Sequence, residues 1–463
     1  MRRYVGSLVI GAICLLPGIG RGQVREVTLE EAVRRGLEHS PELRMGRQDI
    51  LKAGDDRLSA GLAIGPRLSL DAGIQWWDQA TRVQFIDAGQ VQLTPEQIET
   101  LRTFLGDGFV GMLASLNEPM EIQKRVTGTV TLQAVQPITP LWSLAEIYRL
   151  QGANAEAAEL EQQARRLQVT YRVTETFFRL RQALRMVEVT DKAVEQVEAH
   201  LKTARAFQEA GLVGRDDVLR AETMLFQVQD KRSQALAGVA LARTALAIQM
   251  GLPPTEMLVP VGDFPELPTD SIVEDQEAID QALSHRPEVG SVEARNRMAR
   301  AGWNASVGAL IPTIAGVFRY QHFEGSKFQR ADSWFVGAQL TWNFWNLGQD
   351  FLRMKAAGRD VEKAREGLQG IRDQVVLDVR KALLDLRTAR SSVEANRKAI
   401  ESAEENLRVV TKKYEVSTAT SVEVLDAQSA LTQARANLEV ALGNCFIAYA
   451  NLQRALGGQV AAF

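Results

Sequence analysis

Val27-Thr28-Leu29-Glu30-Glu31-Ala32-Val33 leads on to Ser40-Pro41-Glu42-Leu43, and the same pattern recurs as Asp275-Gln276-Glu277-Ala278-Ile279 leading on to Arg286-Pro287-Glu288-Val289. Placing Pro41 on Pro287 sets an offset of 246 residues (287 − 41), which also aligns His39 with His285, Leu37 with Leu283, Val33 with Ile279 and Pro66 with Pro312. Solenoid units repeat every ~20–50 residues, so a repeat this long is a duplicated structural half. Each copy reads helix, strand pair, very long helix, tight turn, helix.

The ends and the bulk composition bound the class. Arg2 and Arg3 precede an apolar run from Tyr4 to Leu16, then Pro17 and the small residues Gly18, Gly20 and Gly22. This is the layout of a cleaved secretory leader over 1–22, and the run is short of the ~20 residues a spanning helix needs. Ile13 before Cys14 argues against lipid attachment. Cleavage near Gly22 leaves Cys445 alone among apolar neighbours, which predicts a packed core thiol. A net charge of −3 with 24% charged and 45% hydrophobic residues excludes a nucleic-acid-binding arm and a disordered acidic tail. The chain stops soon after its last helix, so no long C-terminal tail is expected.

Six of the seven Trp cluster at Trp76–Trp77, Trp142 and Trp334 to Trp345, beside segments of alternating polarity. These are Leu68-Ser-Leu70-Asp-Ala72-Gly-Ile74-Gln-Trp76, Val126-Thr-Gly128-Thr-Val130-Thr-Leu132-Gln-Ala134, a looser Ile314-Ala-Gly316-Val-Phe318-Arg-Tyr320, and Trp334-Phe-Val336-Gly-Ala338-Gln-Leu340-Thr-Trp342. Period-2 alternation over about ten residues matches a membrane-spanning strand with one face to lipid and one to water. The polar face carries Ser69, Asp71, Gln75, Thr127, Thr129, Thr131, Gln133, Arg319, Gln321, Gln339, Thr341 and Asn343. Of these, Thr129, Thr131, Gln339 and Thr341 are the predicted lumen-facing residues. Trp at the strand ends fits an aromatic girdle.

The helices are long. After Gly348 the apolar positions Val361, Leu368, Val375, Leu386, Val393, Ile400, Leu407 and Tyr414 step by seven with one stutter of eleven. Ala364, Ile371, Val379, Ala389, Ala403 and Val410 fill the alternate seam. No proline interrupts Gln349–Glu415 or Leu141–Glu209, so each helix is on the order of 100 Å long. Both end in matched turns, Gly211-Leu-Val-Gly214-Arg-Asp-Asp217 and Ser417-Thr-Ala-Thr-Ser421, with Gly211 expected at a helix C′ position and Asp216 or Ser421 as helix N-caps. Thr28-x-x-Glu31 predicts a capping box, and Pro41 the first turn of a second short helix. The predicted first repeat, 23–273, holds helices 28–64, 141–210 and 215–250 and strands at about 67–77 and 126–135. The second, 274–463, holds helices 276–309, 349–416 and 421–457 and strands at about 313–322 and 333–343.

Four strands cannot close a barrel, and an open edge is not viable in lipid. The chain is therefore expected to oligomerise, with three copies giving twelve strands. With these residues in view, the chain resembles the TolC-like outer-membrane efflux proteins, the exit ducts of tripartite pumps and type I secretion systems. The likeness rests on Thr28-Leu-Glu-Glu-Ala32 with Ser40-Pro-Glu-Leu43, on Gly211-Leu-Val-Gly214-Arg-Asp-Asp-Val-Leu219, and on Tyr414 with Ser421-Val-Glu-Val-Leu425-Asp-Ala-Gln428. It spans residues 27 to 457.

The resemblance implies a mainly α fold with a small membrane β part: duplicated halves, long coiled-coil hairpins forming an α-barrel, and four strands per chain contributing to a 12-stranded trimeric β-barrel. It implies a homotrimer in outer-membrane lipid, fed by a periplasmic adaptor (membrane fusion) protein and an inner-membrane transporter of RND, ABC or MFS type. The implied adaptor-docking tips are Gly211, Leu212, Val213, Gly214 and Arg215 with Ser417, Thr418, Ala419, Thr420 and Ser421. Asp216, Asp217, Glu423 and Asp426 are candidates for a periplasmic gate, although no clear double-aspartate gate stands out. The chain departs from a symmetric pattern in one loop: residues 78–125 are long and contain helix-like segments at 94–105 and 109–116, whereas Glu324–Asp332 is short. Both loops are expected outside the cell.

No enzyme site is expected. His39, His200, His285 and His322 form no metal spacing, and there is neither a phosphate loop nor a nucleophile elbow. No cofactor and no nucleic-acid partner are predicted. The competing readings are a periplasmic coiled-coil adaptor or a structural envelope protein. An adaptor would need a β-rich module interrupting the helices, and a structural coiled coil would not need the strands.

Overall fold

The computed structural model describes residues 24–83, 93–117, 120–261, 275–342 and 347–458. The predicted leader, Asn343 and Trp345 lie outside the described residues. In chain order the elements are β1 (Val24–Val27), α1 (Leu29–His39), α2 (Pro41–Leu62), β2 (Arg67–Trp76), β3 (Thr81–Val83), α3 (Pro95–Asn117), β4 (Met120–Pro137), α4 (Leu141–Glu209), α5 (Arg215–Gln249), β5 (Met257–Pro260), α6 (Asp275–His285), α7 (Pro287–Val307), β6 (Thr313–Ser326), β7 (Asp332–Thr341), α8 (Leu347–Glu415) and α9 (Ser421–Ala455). They fall into two compact units: Met1–Leu51 with Glu156–Glu293 and Glu366–Phe463, and Lys52–Ala155 with Ala294–Arg365.

The helical unit is built from the repeat. The helical span 28–64 is two helices, broken at Ser40 with Pro41 opening the second, and 276–309 is likewise two, broken at Arg286. Thr28 caps α1 by accepting from the Glu31 backbone N–H at 3.2 Å. Glu31 does not complete the expected box, because its carboxylate is taken by Arg25 at 2.8 Å and Arg35 at 3.0 Å. One core gathers Ala32, Val169, Val173, Phe177, Leu180, Leu246 and Met250; a second gathers Ala278, Val375, Val379, Leu383, Leu386, Leu452 and Leu456. Ala32 and Ala278 are repeat-equivalent, and every other pair in these two sets is related by one offset of 206 residues, so the duplication reaches the packing. The seam positions of α8 are buried or half-buried as far as Tyr414. Cys445 is a fully buried thiol in the second core. A small parallel pair, β1 with β5, was not legible in the sequence.

The other unit carries an antiparallel sheet in the order β2-β4-β6-β7, with β3 paired to the start of β4. Two strands are longer than the predicted ten residues: β4 has 18 and β6 has 14. The extension of β4 holds Glu121, Lys124 and Arg125, so its charge disguised it as loop, and the count of four strands becomes five with the short β3. The predicted helical segments of the long loop are α3, two helices meeting at Gly106, whose φ of 80° breaks the helix where the sequence has its gap.

Register settles the faces. Asp71 pairs with Thr131, Thr131 with Gln321, and Gln321 with Ser333. Paired residues share a face, so Ser69, Asp71, Thr129, Thr131, Gln133, Arg319, Gln339 and Thr341 lie on one side. Leu70, Ala72, Ile74, Val130, Leu132, Phe318, Val336 and Leu340 lie on the other. The polar side has apolar exceptions, among them Phe323 opposite Thr129, Phe335 opposite Arg319, and Val135 opposite Val317.

Candidate functional site: the hairpin tips and the strand faces

At the first tip, α4 ends because Gly211 enters the left-handed region at φ 73°. The Leu212 N–H then reaches the Phe207 carbonyl at 2.9 Å and the Gly211 N–H the Gln208 carbonyl at 3.0 Å, a Schellman closure. The second tip repeats this 206 residues later with a serine: Ser417 sits at φ 59°, Thr418 N–H meets the Lys413 carbonyl at 2.8 Å, and Ser417 N–H the Tyr414 carbonyl at 2.9 Å.

The helix starts correct the expected caps. Gly214, not Asp216, is the N-cap of α5, and it makes no side-chain cap bond. Thr420, not Ser421, caps α9 in a complete capping box with Glu423. The Thr420 backbone N–H and hydroxyl lie 2.7 and 3.2 Å from the Glu423 carboxylate and hold it below the usual carboxylate range. Glu423 is therefore committed to a local cap. Asp216 and Asp426 are exposed, whereas Asp217 is half-buried; burial, and then the Asp216 charge, push its carboxyl above the usual range.

Gly211, Leu212, Gly214, Arg215, Ser417, Thr418 and Thr420 are exposed at the turns, and Val213 and Ala419 are half-covered. Ser421 is turned inward and fully buried, its hydroxyl 2.9 Å from His200 Nε2. The His200 ring lies 5.2 Å from Tyr414, and Tyr414 stacks on Phe207 at 5.5 Å. His200 and Phe207 on α4, Tyr414 on α8 and Ser421 on α9 thus tie the two tips together. Burial lowers the His200 imidazole, favouring its neutral form. The sequence pattern marks Tyr414 as a seam and motif residue and His200 only as a non-ligand, and joins neither to the other. A buried polar pair 221 residues apart has no local signature.

On the sheet, the apolar side is open to the surroundings: Leu68, Leu70, Ile74, Val336 and Leu340 are all largely exposed in the single chain. Trp76 and Trp334 stand at one end of this side and Trp342 at the other. Eight residues separate Trp334 from Trp342, about 27 Å along the strand. Once the strand tilts, this fits an apolar band of roughly 25 Å. On the polar side Arg319 donates to Gln133 Oε1 at 3.1 Å and lies over the Phe335 ring. Among the described residues no group of His, Cys, Asp and Glu could hold a metal, and no helix is long and apolar enough to cross a membrane.

A sheet with one lipid-ready and one wet face, in a chain of long antiparallel helical hairpins, defines a subunit of an outer-membrane duct. The family model described as outer membrane efflux protein matches residues 32–252 and 278–458, one segment in each half, and the chain belongs to that family. It is 26% identical over 357 residues to the outer membrane efflux protein BepC of Brucella suis biovar 1 (strain 1330), covering 73% of this chain and 74% of that protein. Among solved structures it is similar to the outer-membrane channel OprN (TM-score 0.76, 18% identity, 93% of this chain and 90% of that one). It is also similar to the outer membrane protein VceC of Vibrio cholerae (TM-score 0.75, 17% identity, 94% and 97%). The protein is accordingly an outer-membrane efflux channel of a Gram-negative-type envelope, in a family of channel proteins. The adaptor and structural readings are set aside.

Proposed function

We propose that three copies of this chain form a passive exit duct, which receives cargo from an inner-membrane transporter through a periplasmic adaptor docked at the hairpin tips. The observation that carries the reading is the open sheet. Neither β2 nor β7 has a partner on its outer edge among the described residues, and lipid tolerates no such edge. Two copies would give eight long strands, a barrel just wide enough to be filled by its own side chains. Three give twelve and leave room for a channel. Adaptor docking falls to the exposed turn residues Leu212, Arg215, Thr418 and their neighbours, rather than to the buried Ser421. Asp216, Asp217 and Asp426 are the gate candidates not engaged in a helix cap. No step here needs a catalytic residue, and the transporter supplies the energy.

The decisive experiment is the native mass of the mature protein extracted from outer membranes in mild detergent. Three chains per particle support the duct. A soluble periplasmic monomer overturns it.

A further inference from the structure

Between α1, α2 and α4 of the helical unit lies a half-open cavity of about 740 Å³, within the range of small-molecule sites. Its walls are of two kinds. Leu29, Val33, Leu37 and Leu43 supply an apolar side. Arg34, Arg44, Arg47 and Arg166 supply four guanidinium groups from three different helices. Arg34 pairs with Glu38 at 3.5 Å, and Glu30 also lines the cavity. Arg44, Arg47 and Arg166 have no carboxylate partner among the described residues, whereas nearby Arg165 and Arg172 are paired with Asp49 and Glu42 at 2.8 Å each.

A second, independent feature lies in the wall. Thr174 is fully buried, lines the cavity, and has no hydrogen-bond partner for its hydroxyl among the described residues. Threonines elsewhere in the same helix bond back to the carbonyl four residues earlier, as Thr170 does to Arg166 at 2.9 Å and Thr176 to Arg172 at 2.9 Å. Gln162 shows the same defect on a smaller scale: its amide donates to the Leu43 carbonyl at 3.0 Å, while its buried Oε1 has no partner. A buried polar atom without a partner is costly in an apolar wall, and a ligand's polar group can satisfy it.

The duplication provides an internal control. At the offset of 246 residues, Arg34 becomes Asp280, Arg44 becomes Gly290 and Arg47 becomes Glu293, while Val33, Leu37 and Leu43 remain apolar as Ile279, Leu283 and Val289. Those three apolar positions are therefore what the fold requires, whereas Leu29 becomes Asp275. The arginines of α1 and α2 are an addition of the first half alone; Arg166 keeps its counterpart in Arg372, 206 residues later, which there is paired with Glu293 at 3.1 Å.

We infer that this cavity binds a small amphipathic anion, with its carboxylate, sulfonate or phosphate head held by Arg44, Arg47 and Arg166 and its apolar body laid along the leucine wall. Guanidinium forks match such heads in shape and charge. A neutral amphiphile of the same length would leave the cations unpaired and gain only the apolar contact.

The test is calorimetric titration of the assembled full-length protein in zwitterionic lipid nanodiscs with decyl phosphate, using empty nanodiscs and decanol as references. Saturable binding of decyl phosphate at least tenfold tighter than decanol is expected, weakened at least tenfold by Arg44→Gln with Arg47→Gln and several-fold by Thr174→Val. The control pair Arg353→Gln with Lys398→Gln, on the exposed surface of α8, should leave it unchanged. Equal binding of decanol, equal loss in the control pair, or no binding because a neighbouring copy already fills the cavity would each overturn the inference. Repeating the titration in nanodiscs containing phosphatidylglycerol separates the sources: competition identifies a membrane lipid as the natural donor of the head group, and no competition a soluble amphiphile. Native mass spectrometry of each variant reads trimer formation independently of binding, which separates failure of this site from failure of the duct.

Discussion

The two tips differ at one residue, and that residue tests how the turn is held. Gly211 and Ser417 occupy equivalent left-handed positions, a region that costs a side chain roughly 1–2 kcal/mol. Ser417→Gly should stabilise the second turn by about 1 kcal/mol and slow hydrogen exchange at residues 415–418, and Gly211→Ala should do the reverse at the first. A short distance away, His200 gives the tip a pH dependence with a definite sign. Burial places its folded value below the ordinary ~6.5, so the opened tip takes up the proton more readily than the closed one. The stabilisation is complete above about pH 6.5 and is lost as the pH falls from there through the folded value. Asp217 works in the opposite sense: its raised value means the closed tip gains stability as acidification neutralises it, but only in the carboxylate range. Exchange at the tip amides, corrected for intrinsic rate, should therefore rise between pH 7 and 5.5 in the native protein. His200→Gln, which cannot titrate, should flatten the profile; a persisting slope would assign it to another group.

At the scale of elements, the sequence was most readable where a period and a repeat agreed. The ends of α4, α5, α8 and α9 fall within two residues of the predicted ones, because seams, turns and the 206-residue offset all point to the same boundaries. The polar face of the sheet was legible for the same reason, since a period of two admits only one alternative. What failed had competing local chemistry. Asp216 and Ser421 are good cap residues, but the closures at Gly211 and Ser417 set the helix starts at Arg215 and Ser421, which makes Gly214 and Thr420 the caps. The charged start of β4 gave no strand signal, and β1 with β5 is too short to show a period. The faces of the sheet now carry a prediction of their own. Arginine at Leu70, Val130 or Val336 puts a charge towards lipid and should destabilise the folded barrel by about 2–4 kcal/mol near the midplane. Arginine at Thr131 or Gln339 should be tolerated and should alter ion selectivity instead. Urea unfolding from vesicles and single-channel recording separate the two outcomes, and equal cost on both faces would refute the assigned orientation.

For the molecule as a whole, the remaining question is what covers the surfaces a single chain leaves bare. The sheet ends at β2 and β7 without outer partners among the described residues. In the helical unit, α4 is flanked on both sides: α5 meets it through Arg205 and Glu222 at 2.7 Å, and α9 through His200 and Ser421. α8 packs on α9, with Arg435 and Glu404 at 2.7 Å. α5 also packs on α9, yet both α5 and α8 keep an exposed face with large apolar residues at heptad spacing: Leu219 and Phe226, then Leu241 and Ile248, on α5, and Leu377 and Leu384 on α8. Spacing of seven is the seam of a further coiled-coil contact, which a neighbouring copy supplies if α5 of one chain lies against α8 of the next. Burying a large apolar side chain contributes about 1.5–3 kcal/mol, so the six of them at each α5–α8 contact are enough to matter for assembly. Phe226→Asp with Leu241→Asp should leave the fold of each chain intact, as read by circular dichroism, while shifting the extracted particle from three chains to one. Leu384→Asp on the partner helix should act in the same direction. A trimer that survives all three substitutions would mean that the sheet alone holds the copies together and that the exposed heptads of α5 and α8 face something other than a second copy of this chain.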